Sequence, residues 1–195
     1  MEKIIYKQLD ITLNTWGSSI EKYFPNELIF WNNPDKHLEA HRERWNLMNA
    51  VELVKSYVKG KSELKCLDLG CGTGWLAAAV SSLKEVKSID AVDSDEKMLR
   101  TMLPQIVQKL SGDISKVNPV NGLFTPILTT PQGGYDFIFM SSAAHHHDNI
   151  FELMKELEKS VTKGGYIFLL NEVPIPDWKY RYNLLKLSGK ALFHT

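Results

Sequence analysis

The chain has 195 residues, 44% of them hydrophobic, an ordinary globular balance that fits one domain with a sizeable core and room for a helical appendage. Lys+Arg and Asp+Glu both number 23, so no global positive field draws the protein to nucleic acid or anionic lipid, and no nucleic-acid partner is expected. Two cysteines five apart, Cys66 and Cys71, make neither a disulfide framework nor a zinc site, MEKIIYKQLD lacks an apolar signal core, and no apolar run approaches a membrane span, so a cytoplasmic protein without integral membrane association is expected.

The first 30 residues mix aromatic and turn residues. From Asp35 to about Val58, apolar residues Leu38, Trp45, Met48, Val51, Leu53 and Val54 recur at helical spacing, and Gly60 is a natural stop. Residues 1–60 therefore read as a mainly helical N-terminal extension, and residues 61–195 as the main domain. Trp16, Tyr23, Phe30, Trp31 and Trp45 cluster in the extension, most as packing, some as a lid over a substrate. His37 and His41 lie one helical turn apart and share a face; solvated surface is the preferred reading, a substrate contact the sharper one.

The character changes at Leu64. Residues 64–69 form a short apolar strand ending in glycine, with a helix from about 75 to 83. The next strand, 86–92, ends at Asp93, and a helix over 95–110 is broken or kinked at Pro104. Residues 111–134 are irregular, with four glycines and three prolines. Residues 135–140 read as a buried strand, 149–161 as a helix, 163–165 as a tight turn, 166–170 as a buried strand and 177–190 as an outer helix. Basic residues among apolar ones in that last helix leave membrane-surface attachment as its sharper reading. The alternation implies parallel βαβ units in an open sheet with helices on both faces, whose ligands bind beyond the carboxyl ends of the strands.

Asp68-Leu69-Gly70-Cys71-Gly72-Thr73-Gly74 follows the first of these strands and opens a helix. Glycines at alternate positions permit a sharp turn and the close approach of a ligand. Asp93, 23 residues after Gly70, is placed to accept hydrogen bonds from both ribose hydroxyls of an adenosine; its bland reading is a helix cap before Asp95. The dinucleotide fingerprint would need a third glycine at position 75, which is Trp75, so a nicotinamide-dependent oxidoreductase is disfavoured.

At this point the sequence resembles the class I S-adenosylmethionine-dependent methyltransferases. Leu67 to Gly74, LDLGCGTG, matches their first motif, and Ala91-Val92-Asp93-Ser94 with Met98-Leu99 matches their second. Gly134-Tyr135-Asp136 through the strand to Ser141 and the pair His145-His146 resembles the fourth-strand region of the small-molecule branch. Lys163-Gly164-Gly165 resembles the family's proline-glycine-glycine turn, with lysine where proline is common.

The resemblance covers about residues 64–174. It implies a Rossmann-like α/β fold, S-adenosylmethionine as cofactor, and transfer of a methyl group to oxygen or nitrogen of a small molecule, oxygen preferred. It places Asp68, Gly70, Cys71, Gly72, Gly74, Asp93, Ser94, Phe124 and Ser141 at the cofactor, Asp68 near its methionine end. His145, His146 and Glu172 are the candidate bases for the acceptor's proton, each with a structural alternative. Consecutive histidines at 145–147 cannot all face one ion, so no metal is expected. The rival reading is a non-catalytic nucleoside-binding or regulatory module on the same fold. This fold usually closes with two more strands, whereas about twenty residues follow Pro174, so the C-terminal strands read as reduced or missing.

Two registers compete for the third strand. One uses Gly112-Asp113, 20 residues after Asp93, with Asp113 bonding the adenine amino group. The other runs the helix to Leu110, caps it with Gly112 and makes 120–125 the strand, with Leu123 or Phe124 packing on adenine; it is preferred because 105–110 continues the helical spacing.

Overall fold

A computed structural model of the chain describes residues 7–8, 32–44, 47–124, 130–147 and 149–172. Five parallel strands form the body of the sheet: β2 (Leu64–Leu69), β3 (Val86–Asp93), β4 (Val117–Asn121), β5 (Tyr135–Ser141) and β6 (Val161–Leu170). A two-residue strand, β1 (Lys7–Gln8), adds to the β4 edge, giving the order β1-β4-β3-β2-β5-β6. The sequence pattern held no strand in residues 1–60; a pair this short is set by its tertiary neighbour, not by periodicity.

The order reverses at β2. Chain order runs outward from β2 through β3 to β4, then jumps back to β5 on the other side. The crevice beyond the carboxyl ends of β2, β3 and β5 is therefore the switch point where such sheets take ligands.

Two apolar layers sandwich the sheet. On one face Cys66, Ile89, Ala91, Phe137, Phe139 and Phe168 pack with residues from the helices α1 (Pro34–Arg44), α2 (Leu47–Val58), α3 (Trp75–Ser81) and α4 (Leu103–Lys109). On the other, Leu67, Leu69, Val92, Ile138 and Met140 meet Leu153 and Leu157 of α5 (Ile150–Ser160). Strand residues alternate between these layers because side chains on a pleated strand point to opposite faces. Leu38, Val54 and Val58 join the same core cluster as Leu76 and Ala77, so the lead-in helices share the core of the main body.

Local chemistry explains the helix boundaries. All seven residues of α3 are buried, and its alanines let neighbours approach from every side. Pro104 lacks an N–H and would crowd the carbonyl four residues back. The preceding residues Met98–Met102 widen into a π-turn, with the Leu103 N–H bonding the Met98 carbonyl. The expected kink is thus a π-turn inside a helix that continues to Lys109. Asn149 caps α5, its Oδ1 accepting the N–H groups of Phe151 and Glu152.

Three sequence expectations are corrected here. The third strand begins at Val117, not Val120, and includes Pro119. The Gly112-Asp113 register fails: Asp113 Oδ1 accepts the Ser115 N–H and caps a short 3₁₀ turn before β4, far from the strands' carboxyl ends. The preferred register survives in kind, since the helix ends near Leu110 and the Gly112 N–H closes on the Val107 carbonyl. Residues 163–165, expected as a turn before a strand, instead bulge within β6: β5 advances from Tyr135 to Phe137 while β6 advances from Val161 to Tyr166. The expected helix at 177–190, and Trp16, Tyr23, Phe30, Trp31 and Trp45, lie outside the described residues.

Candidate functional site

Where β2 ends, the chain turns back on β3: the N–H groups of Gly70 and Cys71 both bond the Val92 carbonyl at 2.9 Å. The Gly74 N–H closes on the Cys71 carbonyl, and Gly74, at φ +77°, hands the chain to α3. A side chain at 74 would strike Leu103, its Cβ only 2.0 Å from the leucine Cδ1. Gly74 therefore serves the packing of α3 on α4, and it does not line the cavity described below.

Asp93 ends β3 beside this turn. Its Oδ2 accepts the Gly72 N–H at 2.7 Å, and its Oδ1 accepts the Asp95 N–H at 2.9 Å. Burial pushes its carboxyl above the usual range, opposed by those same N–H groups. Asn121 fixes the loop from the far side, its Nδ2 donating to the carbonyls of Asp93 and Ser94. Asp95, not Asp93, caps the following helix, accepting the Met98 N–H.

The carboxyl ends of the strands enclose a cavity of about 470 Å3. That volume falls in the range of small-molecule sites. Gly70, Cys71, Gly72, Asp93, Ser94, Phe124 and Ser141 form part of its wall, together with Leu123 and Met98. The Phe124 ring closes on Gly70, where a Cβ would meet it at 2.8 Å and the Ala143 methyl at 2.7 Å. Burial pushes the Cys71 thiol far up, so it stands there as a neutral group. Asp68 lies beneath the wall, 1% exposed, its Oδ2 accepting the Ala77 N–H at 3.0 Å. Burial raises its carboxyl to about 7, against the pull of that N–H, and the Asp93 charge adds to the rise.

At the end of β5, Ser141 Oγ accepts from Asn171 Nδ2 at 2.9 Å, which ties the tips of β5 and β6. Glu172 reaches back across that tie. Its Oε1 accepts the N–H groups of Ala143 and Ala144, both at 2.8 Å, and its Oε2 lies 2.8 Å from His145 Nδ1. Burial alone would raise the Glu172 carboxyl, but the His145 and backbone bonds win and hold it below its usual range. Both His145 and His146 are exposed, but His146 lines the cavity and His145 is not part of its wall. Burial and the neighbouring His145 lower the His146 pKa, against Glu172, so its imidazole is neutral at pH 7 and able to take a proton. His147 Nδ1 accepts the Asn149 N–H, so His145 and His147 serve different partners while His146 faces the cavity.

The preferred surface reading of His37 and His41 is overturned. They are 1% and 8% exposed and line the cavity. His37 Nε2 lies 2.6 Å from Thr73 Oγ1 and 2.6 Å from His41 Nε2, and the His41 ring packs on Trp75 at 5.2 Å between centroids. Thr73 and Trp75 likewise escaped the sequence reading as site residues. The only signal for Thr73 was its place between two glycines, and no local pattern could show that a helix 36 residues earlier covers it.

The residues fit an adenosyl cofactor. A carboxylate offers about four lone-pair sites, and the backbone N–H groups around Asp93 do not take all of them, leaving acceptor capacity on the cavity wall for a sugar diol. Leu123 and Phe124 supply the apolar wall suited to a flat base.

Comparison with known proteins agrees. A family described as "Methyltransferase domain" matches residues 38–190. Ribosomal protein L11 methyltransferase of Campylobacter concisus is 30% identical over 130 residues, 67% of this chain and 41% of that protein. Ubiquinone biosynthesis O-methyltransferase of Rickettsia bellii is 24% identical over 149 residues, 76% of this chain and 59% of that protein. The chain thus spans about half the length of these curated relatives. Two solved structures share the fold. One is an S-adenosylmethionine-dependent methyltransferase of Geobacter sulfurreducens in complex with S-adenosyl-L-homocysteine (TM-score 0.51, 14% identity, 69% of this chain and 53% of that one). The other is a precorrin-6y C5,15-methyltransferase of Geobacter metallireducens (TM-score 0.52, 18% identity, 72% of this chain and 71% of that one). No helix among the described residues is long and apolar enough to cross a membrane.

Proposed function

The chain belongs to the methyltransferase-domain family, and from that membership we propose that it transfers a methyl group from S-adenosylmethionine to oxygen or nitrogen of a small-molecule acceptor. The observation that carries this reading is the Asp93 carboxylate pinned to the Gly72 N–H on the wall of a cavity that also holds His146. When bound, the cofactor supplies a methyl group already activated on a sulfonium, so the chain needs no nucleophile of its own.

The chain's tasks are then to hold, to orient and to accept a proton. Asp93 holds the ribose, with Gly72, Ser94 and Phe124 around the nucleoside. A fixed cavity brings donor and acceptor into line, which supplies much of the rate enhancement in such reactions. Neutral His146 is the acceptor's base. Both oxygens of Glu172 are committed to Ala143, Ala144 and His145, so we assign Glu172 to holding the turn that carries His146.

The relatives include a protein methyltransferase and an O-methyltransferase of ubiquinone biosynthesis. The small-molecule reading is supported by the cavity volume and by the histidine pair after β5. The test is methyl transfer from labelled S-adenosylmethionine to a panel of phenols, amines and peptides. Label in the small-molecule fraction is expected. Label confined to protein overturns the acceptor class, and tight binding of S-adenosylhomocysteine without any transfer favours a non-catalytic module.

A further inference from the structure

A hydrogen-bonded line crosses the cavity wall from the proposed ribose carboxylate to α1. Asp93 Oδ2 holds the Gly72 N–H. The next residue, Thr73, is 1% exposed and sets its hydroxyl 2.6 Å from His37 Nε2. That nitrogen also lies 2.6 Å from His41 Nε2. Both histidines come from α1, one helical turn apart, and both face the cavity.

The chemistry of this group is restrictive. In a neutral imidazole one ring nitrogen donates and the other accepts. Two ring nitrogens 2.6 Å apart can share one proton but not carry one each, so the two rings cannot both be charged, and burial of each further favours its neutral form. A buried hydroxyl and two buried imidazoles are costly to desolvate unless they bond one another. The network therefore holds α1 in one place: sliding the helix by a turn would strand three polar side chains.

We propose that Thr73 and His37 latch α1 onto the cofactor turn, so that occupancy of the adenosyl site fixes the helix that walls the cavity. This rests on the cofactor reading above. His37 and Thr73 are positioning residues.

The test is amide hydrogen exchange of residues 34–44 in the full chain, with and without S-adenosylhomocysteine, for the wild type, Thr73→Val and Thr73→Ser. Valine keeps the shape and removes the hydroxyl, whereas serine keeps the hydroxyl. Loss of one buried hydrogen bond is expected to speed exchange of α1 about tenfold in free Thr73→Val, with serine near wild type. With the ligand at a concentration that saturates each protein by calorimetry, it is expected to slow exchange of α1 in the wild type and Thr73→Ser but not in Thr73→Val. Equal exchange in valine and wild type overturns the latch, as does ligand protection of α1 that survives in Thr73→Val. Failure of the wild type to bind S-adenosylhomocysteine overturns the cofactor reading and the coupling, and the ligand-free comparison still decides whether Thr73 holds α1.

Discussion

Asp93 Oδ2 accepts the Gly72 N–H at 2.7 Å, so the acid ending β3 and the glycine turn ending β2 are one unit. The carboxylate shapes the turn before any ligand arrives, and the turn in exchange orients the carboxylate. Such prior ordering is how a site avoids paying for organisation at the moment of binding.

Gly72 and Gly74, two residues apart on that turn, separate binding from stability. Both have positive φ, +55° and +77°. A Cβ at 72 meets nothing within 4 Å and stands on the cavity wall, whereas one at 74 strikes Leu103 at 2.0 Å. Gly72→Ala should cost about 1 kcal/mol of stability and weaken S-adenosylhomocysteine binding at least about tenfold. Gly74→Ala should cost about 2–4 kcal/mol through strain and overpacking. Urea unfolding and calorimetry on both variants check this; the reverse ranking would contradict it.

Glu172 should stabilise the fold in a pH-dependent way. Its folded pKa lies below the ordinary glutamate value, so its contribution is present above about pH 4.5 and is lost as pH falls through the folded value. Glu172→Gln keeps an acceptor oxygen for Ala143 and Ala144 but loses the charge facing His145. The gap in urea midpoint between wild type and variant should be widest above pH 5 and should close in acid. A gap independent of pH would remove the charge from the explanation.

The histidine pair gives a second test of the same sign at higher pH. Burial lowers His37 to about 4 and, with the His37 charge adding, His41 to about 3, below the ordinary value near 6.5. The unfolded chain then binds more protons between those values, so stability falls as pH drops from about 6.5 toward 4. His37→Gln should show a shallower fall over this interval in denaturation series at pH 7, 6 and 5. An equal slope in both proteins would mean that His37 does not stay neutral in the folded state.

The parts legible in the sequence are those set by local backbone chemistry. The glycines of 70–74 and the acid at 93 mark a strand end, a tight turn and a second strand end, and the structure places them together. The start of the third strand was hidden by Pro119, because proline argues against a central strand. It is tolerated here because, among the described residues, the outer neighbour of β4 pairs with Val120 and Asn121 and not with Pro119. The burial of His37 and His41 was hidden because a histidine on a helix looks solvated until a distant hydroxyl, Thr73, is brought against it. Glu172 read equally as a base or a surface acid; only the fold shows the two N–H groups that occupy it.

The central claim is tested most directly by calorimetric titration of S-adenosylhomocysteine into the wild type and Asp93→Ala. Removing the carboxylate takes away charge-assisted hydrogen bonds to the ribose diol, and affinity should fall about a hundredfold. Equal affinity in a variant that remains folded by circular dichroism would contradict the account.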